Sequence, residues 1–380
     1  LEQIKIEALE KSPELASYNN QLKAVLAEIR EESLPANPKL SGDVFFPKYY
    51  REERGDNEIE IELSQTIRMG DFGKRGLVSS LISKQKNIES RLQLLKTMQQ
   101  ISFLYYRLWG LQQVDSQIKD LKVRGQELAD SINSLAEEGR ISDKDESLIL
   151  SSVARISAKQ EELRFQIETT SGELTKKTGK DVRAVKASKP KIIELPSFKE
   201  IKNLTERSEL GVLKRAELRA EIAAEQKILA ERESFPALTP ALKWAHNDSG
   251  TDFFGVGISF ELPVFQRNGA QKAKARAAAS DAKSINEYIS SGAFDAELEI
   301  AYLRVKSKKR QAEIYENRVK PELLKALEAS RRQYQNGQGT IFELWQIEKE
   351  YQESYDRSVE LWIEVFATLG DLELLIGNQL

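Results

Sequence analysis

The sequence predicts a mainly α-helical protein with a small β part, in which long coiled-coil helices carry four β-strands that further chains must complete into a barrel. Three observations predict it. Residues 57–67, NEIEIELSQTI, alternate between two unlike faces, which is the period of a strand. The chain repeats its landmarks at a spacing of 198 residues. Each pair of strands is followed by a helical pattern running from about 74 to 137 and from about 270 to 336.

Composition agrees. Charged residues reach 31%, Pro is scarce, and the chain is rich in the residues that fill long helices. A net charge of −3 gives nucleic acid no electrostatic footing. With no Cys, disulfides and thiolate metal sites are excluded. No run of about 18 apolar residues exists, so no transmembrane helix is expected. A transmembrane β-strand needs only about 9–11 alternating residues and escapes that test. The first residues, LEQIKIEALEKSPEL, form an amphipathic helical pattern and not a signal peptide, so a cytosolic or a processed protein is expected.

The duplication is arithmetic. Gly172 and Gly370 differ by 198, as do Gly139 and Gly337, and Ile67 and Phe265. EESLPANPKL (31–40) parallels RESFPALTPAL (232–242), and SPEL (12–15) parallels RAEL (215–218). Two copies of one unit are therefore expected, roughly 1–195 and 196–380. In each, a helix of about twenty residues (13–33; 216–234) runs into a Pro. Two alternating segments then flank a polar loop: KLSGDVFF and EIEIELSQTI in the first unit, ALTPALKWA and FFGVGISFELPVF in the second. The loop HNDSGT of the second unit holds the single His, His246.

The long helices come next. The first lacks Pro and the second is broken only at Pro321; each reaches on the order of 95–100 Å. Leu104, Leu108, Leu111, Ile118, Leu121, Leu128, Ile132 and Leu135 keep the three-and-four spacing of a coiled-coil seam. A Gly-containing turn (139–143; 336–340) then reverses the chain into a shorter returning helix.

The strands are two-faced. Ile59, Ile61, Leu63, Val256, Ile258 and Phe260 fall on apolar sides, while Glu58, Glu60, Glu62 and Glu261 fall on the opposite sides. An isolated hairpin is marginal in water, and a closed barrel removes every edge. Four strands are too few alone; two chains give eight and three give twelve. The apolar residues are then expected to face lipid and the carboxylates a water-filled lumen. Solvated hairpins on a non-enzymatic coiled-coil scaffold are the alternative.

Enzymatic chemistry finds no support, and no catalytic residue, metal site or cofactor is expected. His246 lacks a His/Cys constellation, GKRG (73–76) lacks the strand and helix context of a phosphate loop, and GVG (255–257) reads as strand glycines. Two Met, one His and no Cys cannot build a soft-metal cage.

Together these segments resemble the TolC-like outer-membrane efflux channels. SPEL and RAEL resemble the family's opening motifs, QYQNGQGTIFELWQIE its second helical turn, and GDLELLIG its closing motif. SQTIRMGDFGKR and FELPVFQRNGAQKAKARA resemble the strand-to-helix junctions of the heavy-metal, CzcC-like branch. The resemblance implies a homotrimer with a twelve-stranded transmembrane barrel in the outer membrane of a Gram-negative bacterium, and a helical tunnel in the periplasm. It implies a periplasmic adaptor and an inner-membrane pump, often of the resistance–nodulation–division type, as partners. The turns Gly139, Arg140 and Ile141, and Gly337, Gln338, Gly339 and Thr340, are then expected to form the tunnel tip and meet the adaptor. Asp145 and Glu343, each six residues after its turn glycine, are expected to line a constriction, where carboxylate rings attract cations. Tyr334, three residues before Gly337, matches a Tyr that holds the family's tip shut. Gly339 stands where the family often has a basic residue.

Overall fold

The computed structural model describes residues 1–46, 57–71, 73–138, 141–191, 194–260 and 268–380, except the side chains of Met69, Leu135 and Asp145. The element order is α1 (Glu2–Lys11), α2 (Pro13–Ser33), β1 (Lys39–Phe45), β2 (Glu58–Ser64), α3 (Lys74–Glu137) and α4 (Asp143–Thr178). It continues with α5 (Phe198–Arg207), α6 (Val212–Arg232), β3 (Leu238–Asn247), β4 (Asp252–Phe260), α7 (Gly269–Tyr288), α8 (Phe294–Ile314), α9 (Lys320–Gln335) and α10 (Ile341–Ile376). The opening pattern is two helices and not one. Ser12 precedes Pro13 and is extended (ψ 119°), because the ring of a proline bars its predecessor from helical backbone.

The chain forms two compact units. The first holds residues 1–19, 90–212 and 293–380, and the second 20–89 and 213–292. Each draws on both halves of the sequence.

The second unit contains one antiparallel sheet in the order β1-β2-β3-β4. Its central pairing joins the two hairpins, with Ile61 opposite Trp244 and Leu63 opposite Leu242. β3 extends to Asn247, so His246, expected in a loop, lies in the strand opposite Ile59. The alternation Leu242, Trp244, His246 carries the strand through it. Below the sheet, Arg75 on α3 binds Asp71 (2.7 Å) and Glu233 (2.6 Å), and Lys74 binds Glu225 on α6 (2.6 Å).

The first unit is built from helices around buried seams. Of the predicted seam, Leu104 and Leu108 pack with Ile4, Ala8, Ile101 and Leu174. Leu111, Ile118, Leu121, Leu128 and Ile132 pack with α4 and α10 through residues such as Ile149, Val153 and Trp345; the Leu135 side chain lies outside the description. Gly179 and Gly377 end α4 and α10 at φ +71° and +72°, a left-handed turn that spares glycine the strain of a side chain. A Cβ there would sit 2.3 Å from Lys11 O or 2.4 Å from Leu210 C.

The second long helix departs from expectation. Where one break at Pro321 was predicted, π-helical turns at 289–293 and 315–319 divide it. The first contains Gly292 at φ +93°. The second ends two residues before Pro321, which has no N–H to give to the carbonyl four residues back and whose ring crowds that carbonyl; the wider π turn accommodates both. Its Glu316 accepts from Lys320 Nζ (3.0 Å) and from Ser358 Oγ on α10 (3.1 Å).

Candidate functional site

In the sheet, register decides which side chains share a face. Glu62 lies opposite Lys243, and Glu60 opposite Ala245. Lys243 therefore reaches one carboxylate directly and the other diagonally, with Nζ 2.9 Å from Glu62 Oε2 and 2.5 Å from Glu60 Oε1. Sequence reading missed Lys243, since only the pairing of β2 with β3 places it there. Glu58 shares this half-buried face, opposite Asn247, while Ala241, Gly255 and Gly257 fall in the rows of Ser64 and Glu62 at its other end. Glu261 lies outside the described residues.

The other face is continuous and apolar. Leu63, Leu242 and Val256 stand in one cross-strand row, and Ile61, Trp244 and Phe254 in the next. Ile59, Ile61, Leu63, Val256, Ile258 and Phe260 are all exposed. His246 stacks beside Trp244, ring centres 6.0 Å apart, and its Nδ1 lies 2.9 Å from Asp252 Oδ1. No group of three or more His, Cys, Asp or Glu among the described residues is placed to hold a metal ion. No described helix is long and apolar enough to cross a membrane.

The turn between α9 and α10 belongs to the first unit. Gly337 takes φ +72° and donates its N–H to Tyr334 O (3.0 Å) while Gln338 N bonds Gln333 O (2.9 Å), closing the end of α9. Thr340 then caps α10: its Oγ1 accepts from Glu343 N (3.2 Å), and Glu343 Oε2 accepts from Thr340 N (2.9 Å). This reciprocal cap satisfies two donors that a helix start leaves orphaned. The Thr340 N–H holds the Glu343 carboxyl below its usual range. Tyr334, Gln338 and Glu343 are exposed and Gly339 is half-buried. At the other turn, Gly139 and Arg140 lie outside the described residues and Ile141 packs on the core seam. Asp145 stands in the first turn of α4, its side chain likewise outside the description.

A three-helix tie near this turn was also missed. Glu348 of α10 is 6% exposed, and its carboxylate receives Arg124 Nε of α3 (3.0 Å) and Arg331 Nη2 of α9 (2.8 Å). One helical turn earlier, Trp345 Nε1 donates to Ser152 Oγ of α4 (3.0 Å). The available signal was a carboxylate at helical spacing from Trp345 on an otherwise buried stripe.

No model of a protein family matches the chain, and no curated protein sequence matches it. Solved structures do. A membrane protein from Pseudomonas aeruginosa superimposes with a TM-score of 0.80 at 16% identity, over 100% of this chain and 90% of its own. The outer membrane protein VceC of Vibrio cholerae gives 0.78 at 18% identity, over 100% and 96%. The CmeC outer membrane channel of Campylobacter jejuni gives 0.78 at 14% identity, over 99% and 85%. With one four-stranded antiparallel sheet and long helices, the chain has the fold of TolC-like outer-membrane channels.

Proposed function

We propose that this chain is the outer-membrane exit duct of a tripartite efflux system: a non-enzymatic, passive channel that takes small molecules or metal cations from a periplasmic adaptor and an inner-membrane pump of the resistance–nodulation–division type. The observation that carries this reading is the sheet. It exposes an aliphatic face and has two open edges, since β1 and β4 each pair on one side only among the described residues. Strand edges and apolar faces of that size aggregate in water; in a bilayer the face is solvated by lipid and the edges close on other chains. Three copies supply twelve strands, with Glu58, Glu60 and Glu62 on the lumen side.

The likeness to outer-membrane channels over the whole chain supports placement in a Gram-negative outer membrane with the helices in the periplasm. The junctions at 64–75 and 260–277, which resemble the CzcC-like branch, support metal cations as one cargo class. Without a metal cage, cargo selection falls to the pump. The turns at 139–141 and 337–340 are the adaptor-facing tip in this reading, with Asp145, Glu343 and Tyr334 at the constriction. Mass measurement in mild detergent tests the assembly: three protomers give 3 × 43.2 = 129.6 kDa. A well-behaved monomer in buffer without detergent would leave the scaffold alternative standing.

A further inference from the structure

The helices of the first unit bury their apolar residues, with a telling exception on α4. Ile149, Val153, Ile156, Leu163 and Leu174 mark its inward side. On the outward side Phe165 is 70% exposed, among Glu161, Glu162 and Glu168. A second outward stripe runs along α8 and α9. Leu298, Val305, Ala312 and Leu327 point inward, while Leu303, Ile314 and Leu324 point outward at 50%, 42% and 41% exposure.

The charges of the two stripes are opposite. Arg304, Arg310 and Arg318 are exposed on the α8–α9 stripe and form no ion pair among the described residues, whereas Lys308 on the same helix is bound to Glu364. The Glu168 carboxylate on α4 is likewise unpaired there. An aromatic side chain beside a free carboxylate thus has a counterpart: aliphatic side chains between free guanidiniums.

We infer that these two surfaces are the two halves of one contact between copies of this chain, with Phe165 of one copy seated beside Ile314 of the next and Glu168 between Arg310 and Arg318. The inference rests on the trimeric channel proposed above and names the helices through which its protomers meet. Heights within the protomer support the register. Ser152 of α4 is level with Trp345 of α10, an offset of 345 − 152 = 193. The same offset sets Phe165 level with Ser358, since 165 + 193 = 358, and Ser358 bonds Glu316. Rotation about an axis along the helices preserves height. Phe165 of one copy therefore meets its neighbour at residue 316, between Ile314 and Arg318. The contact is heterologous, joining unlike patches, which is the kind that closes into a ring.

Engineered disulfides test it, because the chain has no Cys to confuse the result. A disulfide requires Cα atoms within about 7 Å. The double variant Phe165→Cys, Ile314→Cys should give a covalent trimer ladder under mild oxidation. Phe165→Cys with Leu303→Cys, 314 − 303 = 11 residues away and roughly 16 Å along the helix, should not. Linking at both pairs equally, or at neither while the detergent mass remains three protomers, overturns this surface and leaves the channel reading intact. The second result would free the α4 face for another partner, such as the adaptor. A one-protomer mass in detergent overturns both. Glu168→Arg should lower the trimer fraction about threefold at fixed concentration, as loss of exposed ion pairs does, and adding Arg318→Glu should recover it. No loss with Glu168→Arg overturns the charge pairing.

Discussion

The sheet and the helical unit use the same side chains in opposite ways. Val256 and Ile258 of β4 are 85% and 69% exposed, whereas Leu361 and Ile132 of the helical unit are fully buried. In the helical unit water drives the aliphatic residues together, and a buried charge such as Glu348 is paired with Arg124 and Arg331. In the sheet the charged residues Glu60, Glu62 and Lys243 satisfy one another on the partly covered face, and the aliphatic face is left bare. The difference teaches that burial within one chain does not define a core. In the channel reading proposed above, the two regions are built for two solvents, water and lipid.

The same logic can be broken by substitution. Leu361→Ala leaves a cavity in the cluster with Trp362, Val365 and Phe366 and should cost about 2–5 kcal/mol, read as a lowered melting temperature in detergent. Ile258→Ala, by contrast, should leave folding nearly unchanged. Charge reverses the contrast. Ile258→Arg should cost about 2–4 kcal/mol near the bilayer midplane and cut the protein recovered from outer membranes, while Glu60→Arg, on the face with Lys243, should insert normally. Equal recovery of Ile258→Arg and Glu60→Arg would mean that the exposed face meets water.

Which parts were legible in the sequence follows from the range of the interactions. The strand faces were legible because alternation is local, and so was the seam from Leu104 to Ile132. The pairing of β2 with β3 was not: it joins residues such as Glu62 and Lys243 that are far apart in the chain, and no local pattern encodes that register. Lys243 was hidden for this reason. The tie of Glu348 to Arg124 and Arg331 depends likewise on the heights of three helices. His246 was assigned to a loop because polar residues follow it, whereas pairing with Ile59 decides its state. Pro321 signalled a break, but the π turn placed before it, and the one at Gly292, follow from hydrogen-bond geometry that spacing does not reveal.

A polar group inside the helical unit sharpens the comparison. Asp356 of α10 accepts from Gln352 Nε2 at 2.7 Å, yet burial pushes its pKa up to about 6, with Lys159 opposing and Glu353 and Glu360 adding to the rise. A raised acid binds more protons folded than unfolded between its two pKa values. Stability should therefore fall as pH rises from about 4 to about 6 and level off above, a loss of at most about 3 kcal/mol from this group. Asp356→Asn should remove that part of the slope from melting curves taken between those pH values. An unchanged slope would mean that Asp356 is as well solvated as the carboxylates of the sheet.

The smallest effect separates two roles for one carboxylate. Glu343 closes the cap of α10 with Thr340, so part of its design is local and needs no assembly. In the proposed trimer it also stands where three copies meet around an axis, and a ring of carboxylates there selects cations. Charge and capping can be split. Thr340→Ala removes the hydroxyl that accepts from Glu343 N and should cost about 1 kcal/mol without altering ion selectivity. Glu343→Gln keeps a side chain able to reach back to the Thr340 N–H, as Gln does in such caps, and should stay within about 0.5 kcal/mol of the parent. It removes the charge, however, so cation selectivity in planar-bilayer recordings should drop while the melting temperature holds. A Glu343→Gln channel with the parent's selectivity would confine Glu343 to its cap and move the constriction elsewhere on the tip.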